Sequence, residues 1–333
     1  MLPSRTPTST MEFNPPWWLS GGHTQTLWRK FSPTSSIDHW RERIELRDGD
    51  FIDLDWSVGI RSSSAAAGKI VLILHGLCGC SRSSYVLSLQ NSLDNRGISS
   101  VAMNLRGCSG ESNRLARSYH SGISADVQEV MSVLSQRLPA SRFFIVGYSL
   151  GANVLLKWLG EQGSSAAVSR AVAVSTPFEL AACSNALLRG VSRFYGAHFV
   201  RRLRQDLRGK RYQMSRDYAE EAQRIDALGP LDQIRTIREF DERVTAPLNG
   251  FCDADDYYSR CSSRQFLPAI TVDTLLLQSA DDPLIPVSAI PTAAELPENV
   301  RLDLHSRGGH VGFYTGARSD WLDQRILDFI EVD

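Results

Sequence analysis

Two patterns of hydrophobic and polar positions divide this chain of 333 residues. Near the amino end, residues 43–47 and 51–56 alternate apolar with polar side chains on either side of Asp48-Gly49. Alternation with a period of two is typical of half-buried strands, and Asp-Gly between two such segments is typical of a hairpin turn. This region therefore predicts two antiparallel strands.

From Lys69 onward, the strand-like segments become continuous apolar runs separated by segments of helix length. Such runs are typical of strands that are buried on both faces, as in a parallel sheet covered by helices. The runs lie at 70–74, 100–103, 143–146, 171–174, 274–277 and 300–304. Together with the hairpin they predict an α/β fold whose sheet has about eight strands, mostly parallel and mixed only at its start.

Two segments fall outside this pattern. Residues 1–40 are rich in Pro, Ser, Thr and Trp, and we expect them to form an arm packed on the body of the protein. Residues 177–270 lack strand-like runs and are helical in composition, which predicts a helical cap inserted after strand 6, over the carboxyl ends of the parallel strands. Residues 41–176 and 271–333 would then form the core of the fold.

Composition narrows the choice of partners and compartment. A formal net charge of −1 gives no general attraction to nucleic acid, so no such partner is expected. Residues 1–7 lack the apolar core of a signal peptide, and no stretch reaches the roughly 18 apolar residues that span a bilayer. The six cysteines include no C-x-x-C pair, which favours reduced thiols. We therefore expect a cytoplasmic protein without a metal ion or cofactor.

The most informative motif is Gly147-Tyr148-Ser149-Leu150-Gly151. It lies between the apolar run 143–146 and the helix-like segment 152–158, so the local context is strand, sharp turn and helix. A turn of this kind lifts the serine hydroxyl above the sheet, and the small residues on both sides let strand and helix approach closely. Ser149 is therefore the predicted nucleophile.

A serine hydroxyl needs a base that is oriented by a carboxylate. His310 follows Gly308-Gly309 just after the last predicted strand and is the best-placed base. The acid comes from Asp281-Asp282-Pro283 at the end of the preceding strand. We assign Asp282 as the acid and expect Asp281 to cap the turn, with the reverse assignment as the alternative. The order Ser149, Asp282, His310 along the chain is that of the α/β-hydrolases.

Attack by a serine on a carbonyl group also needs two backbone amides directed at the oxyanion of the tetrahedral intermediate. One should belong to Leu150, directly after the nucleophile, and the other to Leu77, in the loop after the third strand. His75 lies at the start of that loop, and we interpret it as a brace for the loop rather than as a catalytic group.

The predicted cap has two further features. Residues 189–211 carry eight basic side chains against one acid, Asp206, and are interpreted as a solvated helix, with weak contact to an anionic membrane surface as the alternative. Six aromatic residues could line a substrate pocket or pack the cap onto the body. They are Phe178, Phe194, Tyr195, Phe199, Tyr257 and Tyr258.

Several short motifs resemble those of one known group of proteins. They are Pro15-Pro16-Trp17-Trp18-Leu19, His23-Thr24-Gln25-Thr26-Leu27, His75-Gly76-Leu77, Asn104-Leu105-Arg106-Gly107-Cys108-Ser109-Gly110, Tyr119-His120-Ser121-Gly122, Gly147-Tyr148-Ser149-Leu150-Gly151-Ala152-Asn153 and Asp281-Asp282-Pro283. This set is similar to the YheT-like branch of the α/β-hydrolases, or AB hydrolase family 4, from about Phe13 to Phe329. The resemblance implies the same fold and, by motif, the triad Ser149, Asp282 and His310.

The resemblance also implies a range of reactions. The family includes bacterial hydrolases of unassigned substrate, membrane-anchored eukaryotic lipases acting on glycerides or phospholipids, and fungal enzymes that make or cleave medium-chain ethyl esters. This sequence shows no anchor like that of the eukaryotic members, which favours the soluble bacterial type. We expect a serine esterase that hydrolyses small carboxylic esters of short to medium acyl chains through an acyl-enzyme. Acyl transfer to an alcohol, lipase or monoacylglycerol lipase activity, and a binding protein without turnover are the alternatives.

Overall fold

The computed structural model describes residues 12–31, 36–58, 68–316 and 321–332. It contains eight strands, which are β1 His39–Glu45, β2 Phe51–Ser57, β3 Lys69–Leu74, β4 Ser99–Asn104, β5 Arg142–Tyr148, β6 Arg170–Val174, β7 Asp273–Ser279 and β8 Val300–His305. They form one sheet in the order β1-β2-β4-β3-β5-β6-β7-β8. Strand β2 pairs antiparallel with β1 and β4, and all other neighbours are parallel. The predicted fold class is confirmed.

Eleven α-helices accompany the sheet in the described part of the chain. They are α1 Gly22–Phe31, α2 Ser84–Asp94, α3 Ser124–Arg137, α4 Leu150–Gln162, α5 Leu180–Ala186, α6 Ser192–Asp217, α7 Ala219–Asp226, α8 Ile237–Phe240, α9 Ala246–Asn249, α10 Ala254–Cys261 and α11 Trp321–Glu331. No helix among the described residues is both long and apolar enough to cross a membrane.

Helices cover the sheet on both faces, which explains the continuous apolar runs. On β3, Val71 and Ile73 belong to an apolar cluster with α2 and α11. Leu72 and Leu74, which point to the other face, belong to a cluster with α3 and α4. All four side chains are fully buried, so no position on this strand needs to be polar.

The segment between β6 and β7 contains helices α5 to α10 and has a small apolar core of its own. Its longest helix, α6, carries most of the eight basic residues that the sequence analysis counted between positions 189 and 211. Acids from neighbouring segments pair with several of them: Asp226 binds Arg211, and Asp232 binds Arg204 and Arg208. Because these acids lie outside residues 189–211, the linear count overstated the unpaired positive charge of this helix.

The amino-terminal segment packs against the body. A 3-10 turn at Trp17–Leu19 precedes α1, and Phe13 is buried against the rings of Phe313 and Trp321, with centroids 5.4 and 5.0 Å away. Strand β1 begins at His39, so the last two residues of the predicted arm belong to the sheet. Residues 1–11 and 32–35 lie outside the described part of the chain.

Candidate active site

The five predicted site residues all follow the carboxyl ends of parallel strands. Leu77 follows β3, Ser149 and Leu150 follow β5, Asp282 follows β7 and His310 follows β8. Because parallel strands end at the same edge of a sheet, these residues meet there, although 233 positions separate the first from the last. All but Asp282 line one cavity.

Ser149 occupies a strained turn between β5 and α4. Its backbone has φ 52° and ψ −118°, outside the regions that residues other than glycine normally adopt. Its two flanking glycines permit this turn. A Cβ atom at Gly147 would lie 2.7 Å from the Cα of Ala152, and one at Gly151 would lie 2.5 Å from the His75 carbonyl oxygen. The motif therefore places the serine where the sequence analysis expected it.

Two hydrogen bonds connect Ser149, His310 and Asp282. The Nε2 atom of His310 lies 2.9 Å from the Ser149 hydroxyl oxygen, and its Nδ1 atom lies 2.8 Å from Oδ2 of Asp282. The Asp282 side chain is fully buried and that of His310 is 12% exposed. A carboxylate accepts hydrogen bonds, so this geometry fits the tautomer with its proton on Nδ1 and leaves Nε2 facing the serine hydroxyl.

The two neighbouring aspartates have different tasks. The second oxygen of Asp282 accepts the amides of Leu284 at 2.8 Å and Ile285 at 3.2 Å. Asp281 instead accepts the Gly309 amide at 2.9 Å. The expectation that Asp281 caps the turn is therefore wrong. Asp282 does so with one oxygen while the other holds His310, and Asp281 reaches across to the histidine loop.

The amides of Leu77 and Leu150 donate to no other described residue. In the loop after β3, the amides of Gly76, Cys78 and Gly79 each donate to a protein oxygen, at 2.9, 2.8 and 3.0 Å respectively. Leu77 thus has an amide that stays available between bonded neighbours, and Leu150 is the first residue of α4, where amides lack helical partners.

His75 is a buried part of the same loop. The Leu105 amide donates to its Nε2 atom at 3.1 Å, so the proton lies on Nδ1, which donates to the Gly76 carbonyl oxygen at 2.8 Å. Burial lowers the pKa of His75 to about 4, which keeps the ring neutral. Both ring nitrogens are occupied by backbone groups, as expected for a brace.

The loop that carries His310 has an unusual backbone. Gly308, Gly309, Val311 and Phe313 all have positive φ, which for a β-branched valine is rare. Side chains hold this conformation. The hydroxyl of Ser175 accepts the Val311 amide at 2.9 Å, in addition to the bond from Gly309 to Asp281. The position of the imidazole therefore depends on several backbone contacts.

The arm helix α1 supplies further supports that sequence reasoning missed. The Thr26 hydroxyl accepts the backbone amide of His310 at 2.8 Å. Gln25, fully buried, accepts the Tyr314 amide at 2.7 Å and donates to the Tyr314 carbonyl at 3.0 Å. A Cβ atom at Gly22 would lie 1.9 Å from the Asp281 carbonyl oxygen, so the helix approaches this turn closely. The motif His23-Thr24-Gln25-Thr26-Leu27 stood out in the sequence. The residues that its side chains bind lie about 285 positions away, so the motif alone does not identify them.

A cavity of about 100 Å³ adjoins Ser149 and His310. Most of its lining is apolar and comes from the segment between β6 and β7, including Leu180 and Leu187. Of the six aromatic candidates, Phe199, Tyr257 and Tyr258 line the cavity, whereas Phe178 is buried in the core, Phe194 is exposed and Tyr195 bonds to His23. Among the described residues, no three His, Cys, Asp or Glu side chains are grouped so that they could hold a metal ion.

Known proteins with similar sequences include three with catalytic names. The chain is 36% identical to YheT of Escherichia coli (strain K12), provisionally named an esterase, over 97% of this chain and 94% of YheT. It is 30% identical to phospholipase ABHD3 of Homo sapiens, over 99% of this chain and 81% of ABHD3. It is also 30% identical to the monoacylglycerol lipase of Saccharomyces cerevisiae, over 81% of this chain and 60% of that lipase.

Solved structures with a similar fold include the esterase Pf2001 of Pyrococcus furiosus, with a TM-score of 0.56 and 13% identity over 96% of this chain and 98% of the esterase. A 2,6-dihydroxy-pseudo-oxynicotine hydrolase has a TM-score of 0.56 and 15% identity over 92% of this chain and 70% of that hydrolase. At such identities the likeness supports the fold alone. The sequence profile of the α/β-hydrolase fold matches residues 69–317. The chain therefore belongs to the α/β-hydrolase family and is a homologue of YheT.

Proposed function

We propose that this hydrolase is a cofactor-independent serine esterase that cleaves carboxylic esters through an acyl-enzyme. The observation that carries the proposal is the chain of two hydrogen bonds from Asp282 through His310 to Ser149, at 2.8 and 2.9 Å. A serine at the edge of a cavity, with an imidazole on one side and two available amides nearby, has the groups that ester hydrolysis requires.

In the proposed reaction, the Ser149 oxygen attacks the ester carbonyl while its proton moves to Nε2 of His310. The amides of Leu77 and Leu150 donate hydrogen bonds to the resulting oxyanion. When the intermediate collapses, the bond to the alcohol breaks and Nε2 returns the proton to the leaving oxygen. Water repeats these steps on the acyl-enzyme and releases the acid. Asp282 stays ionised throughout, orienting His310 and stabilising its charged form.

We further propose that residues 177–270 act as a cap that selects the substrate. The small apolar cavity favours short to medium acyl chains. The names of two relatives, a phospholipase and a monoacylglycerol lipase, favour lipase activity as the second candidate. Both candidates use the same acyl-enzyme, so they differ only in the esters that reach Ser149.

The proposal is tested by labelling purified protein with a fluorophosphonate and mapping the modified peptide. The same protein is then assayed with p-nitrophenyl esters of about two to about twelve acyl carbons. Labelling at Ser149 with an optimum at short or medium chains is expected, whereas an optimum at the longest chains would favour the lipase.

Ser149→Ala should lower hydrolysis by about 10⁴-fold or more, while Ser259→Ala, at an exposed serine, should not. Retained activity in Ser149→Ala would reject the nucleophile.

A further inference from the structure

One carboxylate, Asp241, lines the otherwise mostly apolar cavity beside Ser149 and His310. It is only 9% exposed. It is the first residue of a π-helical turn, Asp241–Thr245, between α8 and α9. Turns of this kind are rare and often occur at functional sites, because the extra residue redirects a side chain. The proposed reaction assigns no task to this carboxylate.

The hydrogen bonds to Asp241 come from neutral groups. The Tyr258 hydroxyl donates to Oδ2 at 2.7 Å, and the Thr245 hydroxyl donates to Oδ1 at 2.7 Å. The Ser184 hydroxyl, also at the cavity, lies 3.3 Å from that of Tyr258. The wall formed by α5, the π-helical turn and α10 therefore has a polar end, while the remainder of the cavity is largely apolar.

Within the described residues, no Lys, Arg or His forms an ion pair with Asp241. Arg238, one turn earlier, is bound instead to Asp255 by two hydrogen bonds of 2.8 and 2.6 Å. Burial of Asp241 raises its pKa to about 6, against the opposing effects of its two hydrogen bonds and of the nearby Arg238 charge. A carboxylate has about four acceptor sites, and here two are used. Keeping it in an apolar cavity is costly unless another donor arrives.

We propose that Asp241 binds a hydrogen-bond donor, a hydroxyl or an ammonium group, on one arm of the ester substrate. This inference rests on the proposed esterase function and adds the substrate class. In the proposed complex, the ester carbonyl group of the substrate lies at Ser149. A short aliphatic spacer fills the apolar middle of the cavity, and the arm ends in a polar donor at Asp241. An ester whose arms both end in methyl groups leaves the carboxylate without this partner.

The experiment compares esters that differ only in the last heavy atom of one arm. In one series, methyl esters carry an alkanoate, an ω-hydroxyalkanoate or an ω-aminoalkanoate of matched length. In the other, acetate esters carry the same three endings on the alcohol. Spacers of about two to about six methylenes cover the plausible depth of the cavity. Wild type, Asp241→Asn and the control Asp217→Asn, at an exposed carboxylate of the same segment, are assayed for kcat/KM.

In at least one series, the wild type should prefer the hydroxyl or ammonium ending over methyl by about tenfold. Asp241→Asn should reduce this preference about tenfold and change the methyl ester by less than about threefold, and Asp217→Asn should keep the preference. The series in which wild type shows the preference identifies the arm that binds Asp241. The preferred ending identifies the donor on that arm. Equal or better turnover of the methyl endings by wild type in both series would overturn the inference even if the variant failed to fold. Failure of the esterase proposal would differ, since no ester would then be cleaved and Ser149 would not be labelled.

Discussion

The arm helix and the cap both contact the candidate active site, but they do so with different chemistry. Helix α1 contributes polar side chains, Thr26 and Gln25, which bind the backbone of the loop that carries His310. The cap contributes mostly apolar side chains to the cavity, with one buried carboxylate. For the proposed esterase, this difference predicts a division of labour in which the arm fixes the geometry of the proposed triad and the cap decides which ester reaches it.

The two segments also touch each other. The ring of His23 on α1 stacks on that of Tyr195 on α6, with centroids 5.7 Å apart, and its Nδ1 atom lies 3.2 Å from the Tyr195 hydroxyl. Substitutions in the arm and in the cap, made separately, test this division of labour. Each variant shows whether kcat or the preference among esters responds.

The largest effect is expected where the two neighbouring aspartates are compared. Asp282→Asn should lower kcat by about 10⁴-fold, because an amide no longer holds the required tautomer of His310. Asp281→Asn should cost only about ten- to a hundredfold, because it loosens the bond to Gly309 and displaces the loop. Steady-state hydrolysis of p-nitrophenyl butyrate measures both. A larger loss in Asp281→Asn would reverse the assignment of the acid, and equal losses would contradict the different tasks of the two aspartates.

A smaller effect is expected from the arm. Thr26→Val removes the acceptor for the His310 amide and should lower kcat about tenfold, with KM and the chain-length profile unchanged. Thr26→Ser keeps the hydroxyl and should restore kcat. Thr24→Val, in the same helix but bound only to Gly21, is the matched control. A change in chain-length profile with constant kcat would contradict the positioning role.

The opposite response is expected from the cap. Phe199→Ala should enlarge the cavity and shift the preferred acyl chain to a longer one, with kcat/KM changing several-fold for individual esters. The rate of fluorophosphonate labelling of Ser149 should stay nearly constant, because Phe199 is not part of the proposed triad. Phe194→Ala, at an exposed aromatic of the same helix, should change neither property. If Phe199→Ala slowed all esters equally, the cap would contribute to geometry and the comparison would fail.

The smallest effect on turnover at neutral pH is expected from two buried histidines outside the proposed triad. Their lowered pKa values affect the free energy of unfolding instead. Burial lowers the pKa of His75 to about 4 and that of His120 to about 3, below the 6.5 of an exposed histidine. The unfolded chain therefore binds protons more readily than the native one below pH 6.5, and stability is lost as the pH falls. For His75 the loss between pH 6.5 and 4 is about 3 kcal/mol, since a pKa difference of one corresponds to about 1.4 kcal/mol.

Asp241 acts in the other direction, because its raised pKa favours proton binding by the native state as the pH falls through 6. Urea unfolding between pH 7 and 4 measures the sum over these and all other titrating groups, so the contribution of a histidine is read from the difference between wild type and a variant. His120→Gln should flatten the curve. Equal losses of stability in wild type and His120→Gln as the pH falls would contradict the lowered pKa of His120.

Local patterns were enough to predict the sheet and the order of the site residues. Continuous apolar runs report burial on two faces, and glycines on both sides of Ser149 report a tight turn, so each signal lies within a few residues of what it predicts. The support of His310 by Thr26 could not be found in this way, because it joins positions 284 apart. Asp241 was likewise not found, since a π-helical turn has no sequence pattern that separates it from an ordinary helix.

The most direct test of the central claim is to trap the acyl-enzyme. Wild-type protein is mixed with excess p-nitrophenyl ester, quenched in acid before the first turnover is complete, and analysed by intact mass and peptide mapping. One acyl group per chain is expected, on the peptide that contains Ser149, with Ser149→Ala unmodified. An acyl group on another residue, or release of p-nitrophenol with no acylated protein, would contradict a reaction through Ser149.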